Sequence, residues 1–131
     1  MKGLTLTVTT STPAGVGVAA VLEHGVVEFE GGLDELQRAV GGNVEVIPSH
    51  HSVTFWVNED GKFTGLPINR LAMDAWLRWD EYGCMLFNRD WIAGSVVVTG
   101  GVGRDGETKD LPESARRWVL AVARDAGAVI S

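Results

Sequence analysis

The chain has 131 residues, 45% of them hydrophobic and 21% charged, and its 11 Lys+Arg against 17 Asp+Glu give a formal net charge of -6. That length suits one domain, residues 1–131, which buries about two thirds of its extended surface and so needs no disulfide or metal to hold a core. The 5 tryptophans argue against disorder, no apolar run approaches the roughly 20 residues of a membrane span, and the acidic balance removes the long-range pull toward phosphate backbones.

From Leu4 to Thr10, apolar Leu4, Leu6 and Val8 alternate with Thr5, Thr7 and Thr9, the period-two pattern of a half-buried strand. This start also lacks the continuous apolar stretch of a signal peptide. After Pro13, Gly15 and Gly17, the runs Val18 to Glu23 and Val26 to Glu30 flank His24-Gly25, which reads as a tight hairpin turn. Leu33 to Val40 follows as a short helix, with Leu33, Leu36 and Val40 on one face and Asp34 and Glu35 near the positive end of the helix dipole. Gly41-Gly42 stops it, since glycine takes the left-handed conformation without steric cost.

Val44 to Ile47 is predicted as a strand ended by Pro48. In the next strand, Ser52 to Val57, Val53, Phe55 and Val57 face one way. Asn58-Glu59-Asp60-Gly61 is a turn signature, and Lys62 to Leu66 is expected to be extended. A second helix spans about Arg70 to Tyr82, with Asn69 as its N-cap. Ser95 to Thr99 is a compact apolar strand, Gly100 to Asp110 a glycine-rich loop. The last helix is placed from Asp110, in a capping box with Glu113, to Ala126, with Ala115, Trp118, Val119, Val122 and Ala126 turned inward and Gly127 at its end. Strands outnumber helices and several are joined by short turns. The expected fold is therefore α+β, a mostly antiparallel sheet packed by about three helices in a single layer.

Gly101-Val102-Gly103-Arg104-Asp105-Gly106 matches the letters of a dinucleotide fingerprint, but that motif needs a helix opening inside the glycine turn and a second parallel strand. Here the helix waits until about Leu111, so the loop reads as solvated. Adjacent His50 and His51 point to opposite faces of any strand and cannot both join one metal site. Cys84, the only cysteine, sits among Gly83, Met85, Leu86 and Phe87 as a small buried hydrophobe, and a lone thiol fits a reducing cytoplasm. No catalytic residue, metal site or cofactor is assigned.

The second helix is more informative. Trp76, Trp79 and Tyr82 share a face with Leu71 and Ala75, while Met73 and Leu77 project from the other side. Two apolar stripes on one helix of a small domain leave open a partner protein or a second subunit as cover for one of them. Met73, Trp76, Leu77 and Trp79 are accordingly the candidate partner-binding residues. The alternative is a small-ligand or nucleotide site at the loop 100–110, using His50, Gly101, Gly103 and Arg104.

The helix Leu33 to Val40 with its Gly41-Gly42 stop, the segments Val57 to Lys62 and Gly65 to Ala72, and Asp90-Trp91-Ile92-Ala93-Gly94 occur in an order that resembles a family of small domains of unknown function from bacteriophages, plasmids and actinobacterial genomes. The resemblance covers about residues 26–100, leaving the first strand and the helix from Asp110 outside it. It implies a phage or mobile-element accessory protein in a bacterial cytoplasm and supplies no catalytic residues. The combined expectation is a non-enzymatic protein that binds a host or viral protein.

Overall fold

The computed structural model describes the backbone of residues 1–11, 21–47, 53–61, 63–79 and 92–131, and the side chains of these except Ser11, Val21, Leu77, Arg78 and Trp79. In chain order the elements are β1 (Lys2–Ser11), β2 (Val21–Glu30), α1 (Leu33–Val40), β3 (Val44–Ile47), β4 (Val53–Asn58), α2 (Arg70–Trp79), β5 (Val96–Gly100), α3 (Glu113–Asp125) and β6 (Val129–Ile130). The strands form one sheet in the order β3-β4-β5-β1-β2-β6. Every pairing is antiparallel except β2 with β6. The α+β class and the mostly antiparallel sheet expected from sequence are both present.

Strand alternation sorts the apolar residues onto two faces. Leu4, Leu6, Val26, Phe55, Val96 and Val98 turn to one side, where they pack with Leu71, Ala75 and Trp76 of α2 and Ala115, Val119 and Val122 of α3. Phe29 and Val97 turn to the other side and pack with Leu36 and Val40 of α1. The helices therefore occupy both faces, which corrects the expected single layer. The stripe on α1 was readable, but periodicity alone does not say which face of a sheet a helix covers.

Four local expectations change as well. His24-Gly25 is no turn: β2 is unbroken, with Val8 opposite His24 and Thr7 opposite Gly25. Glycine in a strand marks a close approach, and a Cβ at Gly25 would lie 2.8 Å from Thr7 Oγ1 and 3.3 Å from the Val129 carbonyl oxygen. The expected extended segment before Leu66 is folded back instead, with the Phe63 and Thr64 N–H groups donating to the Asp60 carbonyl at 3.0 and 2.9 Å. Helix α3 begins at Glu113 behind Pro112, because Asp110 is engaged elsewhere: its carboxylate accepts the Lys2 N–H at 2.8 Å. Finally β6, absent from the sequence reading, follows the Gly127 helix stop and pairs beside Gly25 and Val26.

The glycine stop expected for α1 is present, whereas the burial expected of Leu33, Trp118 and Ala126 is not fully met. Gly41 ends α1 at φ 81, the left-handed region, and Glu35 accepts the Gly32 N–H at 3.1 Å. Leu33, placed on the buried face of α1, is 58% exposed. Trp118 is only partly buried and Ala126 is exposed, so α3 covers the sheet chiefly through Ala115, Val119, Val122 and Ala123. Arg116 of α3 forms a two-pronged pair with Glu28 of β2, its Nη1 2.7 Å from Oε2.

Candidate functional site

Helix α2 is fixed at its start by one side chain. Asn69, fully buried, accepts the Ala72 N–H on Oδ1 at 3.0 Å and donates from Nδ2 to the carbonyls of Leu6 and Gly94 at 2.9 and 3.0 Å. The cap thus satisfies a helix N–H and ties the helix to β1 and to the segment leading into β5. From this anchor Leu71, Ala72, Ala75 and Trp76 enter the core, and Arg70, Met73 and Asp74 remain on the outer side.

The four residues proposed for partner contact therefore separate. Trp76 is 2% exposed and belongs to the core, so it offers no contact surface. Its indole N–H has no hydrogen-bond partner among the described residues. Met73 is half-buried and lines an open groove of about 330 Å³ whose described walls are Ile68, Arg70, Met73 and Asp74. The Leu77 and Trp79 side chains lie outside the described residues. The sequence reading missed Ile68, Arg70 and Asp74; the available signal was the Arg70/Asp74 pair four residues apart, which marks the solvent side of the helix.

His24 of β2 is electrostatically coupled to the two charged residues of this groove. Burial holds its imidazole below the ordinary value of 6.5, the Arg70 guanidinium pushes the same way, and the Asp74 carboxylate opposes them. Its Nδ1 is buried without a hydrogen-bond partner among the described residues.

The glycine-rich loop has a different geometry. Residues 100–109 form a small hairpin, with Gly100 N–H donating to Lys109, Lys109 N–H to Gly101, and Val102 bridged to Thr108. At its tip the Gly103 N–H donates to the Glu107 carbonyl at 2.8 Å, the Gly106 N–H to Gly103 at 3.0 Å and the Glu107 N–H to Asp105 Oδ1 at 3.1 Å. These amides are already bonded within the loop, whereas a phosphate cradle needs its N–H groups free. Gly101, Gly103 and Arg104 are thus placed in a closed hairpin, and His50 lies outside the described residues. A second, smaller hollow of about 200 Å³, lined by Thr7, Thr9, Glu23, Gly25, Val129 and Ser131 among others, lies between β1, β2 and β6.

Among the described residues, no group of three or more His, Cys, Asp or Glu is arranged to hold a metal ion, and no helix is long and apolar enough to cross a membrane. Neither the curated proteins nor the solved structures contain a match to the chain. One family model does match, over residues 19–122, beyond the span expected from sequence and including most of α3. The chain belongs to the family described as Domain of unknown function (DUF3846).

Proposed function

We propose that the protein works by binding another protein, as an accessory factor of a phage or mobile element in the bacterial cytoplasm, with the outer side of α2 as its contact surface. The observation that carries this reading is the groove at Met73: Ile68, 43% exposed, and Met73 supply apolar walls, and Arg70 and Asp74 charge the rim. Such a site takes an apolar side chain at its centre and fixes orientation at its edge, the usual division of labour at protein interfaces. The alternative of a nucleotide at the loop 100–110 draws no support from amides that bond one another.

Affinity capture from the expressing bacterium tests the proposal, using the wild-type chain and an Ile68→Asp variant whose fold is checked by circular dichroism. A specific protein retained by the wild type and lost by the variant is the expected result. An unchanged set of captured proteins would remove the groove from the contact surface.

A further inference from the structure

No further inference is drawn: the strongest candidate, the sheet edge formed by β2 and β6, where Leu22, Val27, Val129 and Ile130 are exposed, carries nothing because nothing in the structure shows what covers it.

Discussion

Asn69 serves three backbone groups with one amide, and the consequences of altering it depend on which end is altered. In Asn69→Ala the Ala72 N–H loses its cap and the carbonyls of Leu6 and Gly94 lose a buried donor. One cap and two orphaned acceptors together should cost about 3 kcal/mol in urea unfolding. Asn69→Asp keeps the cap acceptor but sets a carboxylate oxygen against two carbonyl oxygens. It should be at least as destabilising as alanine at neutral pH and should recover as the pH falls and the carboxyl takes up a proton. An aspartate variant as stable as the wild type at neutral pH would refute the donor role. His24 carries the opposite pH dependence. Its folded pKa lies below 6.5, so as the pH drops through that value the unfolded chain binds a proton before the folded one does. Its contribution to stability is complete above about pH 6.5 and is lost as the pH falls through the lower folded value. Melting temperatures of wild type and His24→Gln between about pH 7 and pH 5 should converge at the acid end, because glutamine does not titrate.

At the level of elements, the sequence was most readable where one residue type has one local use. The alternation of β1 and β4, the N-cap at Asn69 and the glycine stops of α1 and α3 all follow from chemistry confined to a few residues. It misled where a local signal has two uses. His24-Gly25 satisfies the composition of a turn, yet Gly25 stays in β2 because β6 passes close beside it, and β6 arrives from more than one hundred residues away in sequence. Asp110 has the spacing of a cap, yet its carboxylate bonds to Lys2 at the opposite end of the chain. The candidate site shows the same division: the two apolar sides of α2 were visible, but their assignment required knowing which one meets the sheet, and Trp76 went inward with Ala72 and Ala75. The account of Gly25 can be checked by Gly25→Val. The added side chain meets Thr7 Oγ1, which can rotate away, and the Val129 carbonyl, which belongs to a two-residue strand at the edge of the sheet. Hydrogen exchange should accelerate at the Ser131 N–H, bonded to the Val26 carbonyl at 2.9 Å, while the β1–β2 amides remain protected. Equal protection at Ser131 in both proteins would mean that Gly25 is dispensable for docking β6.

For the whole molecule, the span of the family match and the span of the folded unit differ, and the sheet order makes the difference consequential. The match begins at residue 19, which leaves β1 outside it. Yet β1 lies inside the sheet, paired along its whole length with β2 from Lys2–Glu30 to Ser11–Val21 and on its other edge with β5 from Leu4–Val98 to Leu6–Val96. Leu4 and Leu6 are 1% and 0% exposed, and the Leu6 carbonyl receives Asn69. Without β1 the sheet divides into β3-β4-β5 and β2-β6, and two long strand edges lose their backbone partners at once. Removing two buried leucines alone should cost about 4 kcal/mol or more, a large part of the 5 to 15 kcal/mol that holds a typical domain together. A chain comprising residues 19–131 should therefore lack a cooperative thermal transition and bind hydrophobic dyes, while a synthetic peptide of residues 1–11 added in trans should restore part of the transition by re-pairing both edges. Cooperative unfolding of the truncated chain without the peptide would show that β2 and β5 can close directly on one another, and the central place of β1 would have to be given up.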